Sequence, residues 1–244
     1  ADQVPKVMTT TNGDVETDVV EVGPVVPMWA LLGTEADLPN RQKVRPIVGG
    51  LSIATNSMYL GTLGGARFHR PDGKIVSLTN AHVAAPPGVL KREDYAAAKT
   101  GQPGIGDDGG AGREPICEGI ETDDLETSEP PLFDSAILYN IVDSKAELLG
   151  LGPYSGVADP AIGMAIVKSG RSSWITESAY AAVGVSIEVQ YPNGLKRFNN
   201  LSVHMPAMLI PGDSGSLIAQ KGTENLVGLG FAASPTLSFD FPIR

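Results

Sequence analysis

The amino-acid sequence predicts an all-β fold, a sandwich or closed barrels, on three observations. Short apolar runs rich in β-branched residues follow one another from Ile47 onward. Three of the gaps between them carry hairpin chemistry: Arg70-Pro71-Asp72-Gly73, Pro192-Asn193-Gly194, and QKGTEN from Gln220 to Asn225. Helical patterning is confined to REDYAAAK (92–99) and SKAELLG (144–150).

Residues 1–45 have weak periodicity and form an N-terminal extended segment, expected to run along the surface with Trp29 and Leu31 as anchors. The first group of strands falls within 46–143: IVGGLSIA, MYLGTLGGARF, KIVSLTN and FDSAILYNIV. Inside that group, TGQPGIGDDGGAGREPICEGIETDDLETSEPP (100–131) is long, acidic and Gly-rich, and is expected to be a surface loop. Its carboxylates could attract Ca²⁺, but the spacing is not that of an EF-hand, so a solvated loop is the stronger reading. Residues 144–160 form a connector, and 161–244 hold the second group: GMAIVKSG, YAAVGVSIEVQY, KRFNNLSVHM, SGSLIAQ and NLVGLGFAA.

A chain of 244 residues, 42% hydrophobic and 19% charged, can bury one large core or two small ones. Its most apolar stretch, VGPVVPMWALLG (22–33), is too short to span a bilayer and is interrupted by Pro24 and Pro27, so it reads as extended chain. A net charge of −10 argues against nucleic acid or an anionic membrane as partner. The single cysteine, Cys117, precludes an intrachain disulfide and tilts the expected location towards a reducing, cytoplasmic compartment. The sequence starts at Ala1 without an initiator Met, which leaves a removed targeting segment open.

The strongest chemical signal is Pro211-Gly212-Asp213-Ser214-Gly215-Ser216. Small residues around one serine, just before an apolar strand, can expose a hydroxyl while backbone N–H groups converge on an oxyanion. The competing reading is a plain Gly-Asp-Ser turn. A nucleophilic serine needs a base, and three histidines are available. His82 follows an apolar strand in SLTNAHVAA; His69 sits beside the RPDG hairpin and reads as solvent-facing; His204 lies in a strand-like run and reads as packed. The matching carboxylate is Asp134, set in PLFDSAILYN at the mouth of an apolar strand, where an unpaired charge is costly. Asp123, Asp124 and Asp143 stand in more polar surroundings.

The segments LTNAHVA, FDSAIL and PGDSGSLI, in that order, resemble the three catalytic segments of chymotrypsin/trypsin-like serine peptidases. A closer similarity is to bacterial intracellular trypsin-like peptidases and the plant narrow-leaf protease. It is carried by VRPIVGGLSIATNSMYLGTLG, LTNAHVAA, IVKSGRSS and PGDSGSLI over roughly residues 43–235, and TDVVEVG (17–23) is similar to the tail of a segment preceding the protease domain in bacterial relatives.

The resemblance implies two antiparallel β-barrels with the active site between them. It implies a serine endopeptidase with His82 as base, Asp134 as its orienting partner and Ser214 as nucleophile, working on a protein or peptide substrate without metal or organic cofactor. The N–H groups of Gly212 and Ser214 become the oxyanion hole. Met208, six residues before the nucleophile, and Leu209 become pocket residues, and neither can pair with Lys or Arg. An apolar pocket for Leu, Met or an aromatic residue follows, with plain barrel core as the competing role of both. A homo-oligomer is left open.

The sequence departs from the family pattern where Trp174 and Ser178 replace expected glycines, and it ends at FPIR without the usual terminal helix. These departures favour, modestly, an alternative: a silent or latent protease-like scaffold used for binding or assembly. An esterase is disfavoured, because Ser214 leads into a strand and not a helix.

One further motif, RPIVGG (45–50), looks like a zymogen activation site, cut before Ile47. The resemblance places it inside the first barrel as a strand, and cutting after Pro46 is uncommon chemistry. Asp213 must then find a donor other than a freed Ile amine.

Overall fold

The computed structural model describes residues 7–10, 13–16, 22–28, 38–55, 59–107, 113–122, 125–126 and 133–243. The expected anchors Trp29 and Leu31 lie outside these described residues, as do 17–21 of TDVVEVG. In the N-terminal segment, β1 (Val7–Thr10) and β2 (Gly13–Glu16) pair with each other, and a short strand β3 (Val26–Pro27) follows.

The first barrel is built from β4 (Ile47–Gly49), β5 (Leu51–Ile53), β6 (Gly61–Leu63), β7 (Gly65–His69), β8 (Ile75–Thr79), β9 (Lys99–Gln102), β10 (Glu114–Thr122) and β11 (Ala136–Asn140). Five of these run in the order β7-β8-β11-β10-β9, and the β5–β6 pair joins β9 through a bridge between Ala54 and Gly101. The side chains of Ile47, Leu51, Ile53, Leu63, Ile116, Cys117 and Leu138 fill its interior. RPIVGG is therefore strand: the Ile47 N–H donates to the Asp143 carbonyl (2.9 Å) inside this barrel.

Three expectations are corrected. SKAELLG is not a helix but β12 (Ser144–Leu148), parallel to β4 and antiparallel to β13 (Gly152–Pro153). A seven-residue helix has little stability of its own, whereas the edge of β4 offers hydrogen bonds and a core for Leu148. The acidic stretch 100–131 is not all surface loop, because it supplies the end of β9 and all of β10, with Ile116, Cys117 and Ile120 buried. Its Asp107 is buried as well, which removes it from any solvated calcium loop. REDYAAAK forms only a 3-10 turn, Arg92–Ala97.

After β14 (Gly156–Val157), the second barrel comprises β15 (Ala165–Gly170), β16 (Trp174–Tyr191), β17 (Gly194–Met205), β18 (Leu217–Gln220), β19 (Asn225–Ala233) and β20 (Ser238–Pro242). The order β19-β18-β15-β16-β17-β20, with β20 pairing back to β19, closes a six-stranded ring. β20 was not anticipated from the sequence, and it is the strand that completes closure. Phe198, Phe231 and Phe241 meet edge-on or tilted inside, with centroids 4.4–5.4 Å apart. The RPDG, PNG and QKGTEN turns join β7–β8, β16–β17 and β18–β19. Among the described residues, no helix is long and apolar enough to cross a membrane.

The barrels meet where the loop carrying Ser214 packs on the first. Thr62 N–H donates to the Ser214 carbonyl (2.8 Å), Thr62 Oγ1 donates to the Gly212 carbonyl (2.9 Å), and Arg171 N–H donates to Thr62 Oγ1 (3.0 Å).

Candidate active site

Strand pairing explains why His82 and Asp134 meet. In the β8–β11 pair Ala136 faces Thr79, so Asp134, two residues earlier, lies beside the chain that turns out of β8 into the short helix α1 (Ala81–Ala84). Asn80 Nδ2 holds the Asp134 carbonyl at 2.6 Å. The His82 N–H donates to Asp134 Oδ1 at 3.0 Å, and His82 Nδ1 bonds Asp134 Oδ2. The geometry fixes the imidazole with Nδ1 carrying the proton and Nε2 turned away from the carboxylate.

A residue that the sequence did not flag completes this arrangement. Tyr191, at the end of β16, donates its hydroxyl to Asp134 Oδ2, and its ring packs edge-on against His82 at 6.1 Å. Burial, reinforced by the neighbouring carboxylate, holds the Tyr191 hydroxyl well above its usual range, so it remains a donor.

Ser214 stands between Gly212 (φ 102°) and Gly215 (φ 91°), backbone conformations that L side chains rarely adopt. A Cβ on Gly215 would strike the Thr62 carbonyl and Thr79 Oγ1, so that glycine lets the serine loop close on the strand that leads to His82. Ser214 Oγ donates to the Phe231 carbonyl at 3.0 Å. The N–H groups of Gly212 and Ser214 do converge on one acceptor: the carbonyl oxygen of Met28, at 2.6 and 3.1 Å.

That oxygen belongs to a strand lying in the cleft. Met28 N–H donates to the Phe231 carbonyl (3.0 Å), β3 pairs antiparallel with β19 through Pro27–Ala232 and Val26–Ala233, and the Val25 carbonyl accepts from Gln190 N–H (3.1 Å) on β16. Val25, Pro27 and Met28 are buried while Val26 faces out. Met28 packs with Leu209 and Ala233. Of the two residues expected in the pocket, the structure brings Leu209 to this occupant. It sets Met208 among Ile166, Tyr180, Ile218 and Val227 in the second barrel. With the strand in place His82, Asp134 and Ser214 are each 0% exposed, so the site is closed to solvent.

Asp213, between the two donating amides, finds its cation in Lys168. Lys168 Nζ reaches Asp213 Oδ2 at 3.0 Å with both side chains fully buried. Ser173 Oγ (2.5 Å) and Ile210 N–H (3.1 Å) also donate to Oδ2, and the N–H groups of Ser172 (2.9 Å) and Ser173 (3.1 Å) donate to Oδ1. Burial lowers the Lys168 ammonium from its usual value and Asp213 pulls it back up. Gly170 leaves the room: a Cβ there would lie 2.6 Å from Asp213 Oδ1 and 2.9 Å from Lys168 Nζ. The departure at Trp174 has a definite shape, since this residue takes the left-handed φ of 59° that a glycine would adopt without cost.

The other expected histidines lie elsewhere: His69 is exposed at the end of β7, and His204 is buried in the second barrel. Among the described residues no group of three or more His, Cys, Asp or Glu side chains could hold a metal ion. Of the residues the sequence missed, Lys168 had a signal, a lysine inside an apolar strand. Tyr191 and Met28 had none, because each acts through a partner far away in the chain.

No protein-family model matches the chain, and no curated protein matches its sequence. Solved structures do match. A glutamic-acid-specific serine protease that uses a histidine triad in substrate binding superposes with a TM-score of 0.55 at 18% identity, covering 80% of this chain and 93% of that one. Cellulomonas bogoriensis chymotrypsin gives 0.51 at 18% identity, covering 81% and 92%. Nocardiopsis protease gives 0.52 at 17% identity, covering 81% and 93%. At these identities the likeness speaks to architecture: the chain has the chymotrypsin-like double β-barrel fold found in bacterial serine proteases.

Proposed function

We propose that the protein is a serine endopeptidase in which Ser214, His82 and Asp134 act as a triad. The observation that carries this reading is the convergence of the Gly212 and Ser214 N–H groups on a peptide carbonyl oxygen, on the loop that holds the serine. Donors preorganised at that point stabilise charge as it develops on the oxygen, and losing one costs on the order of a hundredfold in rate.

For reaction, Ser214 Oγ rotates from the Phe231 carbonyl towards His82 Nε2, gives up its proton and attacks the carbonyl carbon. Asp134 holds the imidazole tautomer and stabilises the imidazolium, and Tyr191 supports Asp134. Lys168 keeps the Asp213 carboxylate neutralised, so the two amides on either side remain aimed at the oxyanion. The Leu209 and Ala233 surfaces support a preference for an apolar residue before the scissile bond.

A second reading, a latent or silent scaffold, is favoured by the orientation of Ser214 Oγ and the filled cleft. Labelling with a fluorophosphonate probe decides between them. A triad predicts labelling of the wild type that disappears in Ser214→Ala and in His82→Ala. A protein that is folded yet never labels, either as wild type or as the Met28→Asp variant with its cleft vacated, supports the scaffold.

A further inference from the structure

We infer that the Val25–Met28 strand is bound as the protein's own substrate, and that the chain cuts itself between Met28 and Trp29. The inference rests on the endopeptidase reading and deepens it, because it names both a bond and a substrate class.

An arbitrary strap across a cleft would satisfy its backbone wherever partners happened to lie. This strand instead makes three kinds of contact that a peptide at a serine nucleophile requires. Its backbone adds antiparallel to β19, with Met28 N–H on the Phe231 carbonyl at 3.0 Å, which fixes the register of the peptide. Its Met28 carbonyl oxygen accepts from Gly212 and Ser214 at 2.6 and 3.1 Å, which puts the attached carbon beside the residue bearing the hydroxyl. Its Met28 side chain, only 6% exposed, lies in an apolar niche with Leu209 and Ala233. One register error would remove all three together, since side chains alternate faces along an extended chain.

The chemistry balances without any further reactant than water. Ser214 Oγ bonds to the Met28 carbonyl carbon as its proton passes to His82 Nε2. The Met28–Trp29 C–N bond then breaks, and His82 delivers that proton to the Trp29 nitrogen, leaving an amine. Water adds to the Met28 ester, its proton is taken by His82 and returned to Ser214 Oγ, and the Met28 carboxylate is released. The same contacts define the outside substrates: extended peptides with an unbranched apolar residue such as Met before the cut.

The test uses the full chain as wild type and as Ser214→Ala, Met28→Leu and Met28→Asp, followed by intact mass and N-terminal sequencing. Circular dichroism checks that each is folded. The expected result is a new N-terminus reading Trp29-Ala30-Leu31-Leu32 in wild type and Met28→Leu, formed at a rate independent of protein concentration. Ser214→Ala stays whole, and Met28→Asp is cut at least about tenfold more slowly, because a carboxylate in an apolar niche is unfavourable. A Val-Val-Pro-Met p-nitroanilide added to Met28→Asp separates the two levels of the argument. Reporter hydrolysis with wild type left whole, or cut at another bond, overturns self-cleavage and leaves the endopeptidase standing. Absence of both reporter hydrolysis and self-cleavage overturns both. A cut that persists in Ser214→Ala overturns the inference as well.

Discussion

Asp240 and His204 show how deep burial decides protonation in this protein. His204 Nε2 lies 3.6 Å from Asp240 Oδ1, both side chains are fully buried, and Tyr180 donates to Asp240 Oδ2 at 3.1 Å. Burial, assisted by the positive charge of Lys168, pushes the His204 imidazole down to about 3, and burial pushes the Asp240 carboxyl well above its usual 3.8. Both shifts disfavour the charged forms, so burial works against an ion pair at this contact. His204 contributes stability that is present above its unfolded value of 6.5 and is lost as pH falls towards 3. Asp240 contributes stability that is present below 3.8 and is lost as pH rises towards its raised folded value. The two slopes oppose each other between about pH 4 and 6.5. Asp240→Asn removes only the second. Its stability relative to wild type is expected to rise with pH from about 4 upward, by at most about 1.4 kcal/mol per pH unit, in urea unfolding across pH 4–9. At this scale the sequence was most legible where a residue type and its immediate neighbours carry the chemistry: His82, Asp134 and Ser214 each sit where an apolar strand begins or ends. Tyr191 was not legible, and Lys168 showed only as a lysine inside an apolar strand, because what makes each matter is a partner more than 40 residues away.

The hairpin of β15 and β16 is the element that shapes the serine loop. Its strand contributes Lys168 and its turn contributes the Ser172 and Ser173 amides, all of which end on Asp213. Lys168→Gln leaves a buried carboxylate without its cation. It is expected to cost roughly 3–5 kcal/mol of stability in chemical unfolding. Peptide hydrolysis is expected to drop by about a hundredfold as the amides beside Asp213 lose their aim. Most elements were legible from hairpin chemistry and period-2 runs. Those that were not have local reasons. SKAELLG carries helix-forming residues, yet the free edge of β4 takes it as β12. The apolar face of β10 is interleaved with glutamates and set among glycines and aspartates, which disguised Ile116, Cys117 and Ile120 as loop. β20 (Ser238–Pro242) was not picked out, since it is short and follows β19 closely.

At the level of the molecule, the two barrels are clasped by an ion pair between them. Arg171 in the second barrel grips Asp107 in the first through Nε–Oδ2 at 2.9 Å and Nη2–Oδ1 at 2.8 Å, and Ser52 also bonds Asp107. Bidentate geometry in a dry interface makes each partner indispensable to the other. Arg171→Met is expected to destabilise by roughly 3–5 kcal/mol in urea unfolding, and the double variant Arg171→Met/Asp107→Leu to recover a large part of that loss. The clasp also explains why composition alone misled on the acidic stretch of the first barrel: its Asp107 is held by a cation of the other barrel.

The strand at Val25–Met28 belongs to the same chain as the cleft it fills, and that changes how the site responds to its surroundings. A separate inhibitor departs on dilution, but a tethered one is held at an effective concentration set by the connection and not by the amount of protein. Diluting the intact chain therefore leaves its occupancy unchanged, and an outside peptide competes against a constant rather than against the protein's own abundance. Once the tether is severed, the same segment becomes an ordinary diffusible ligand, and volume alone is enough to carry it away.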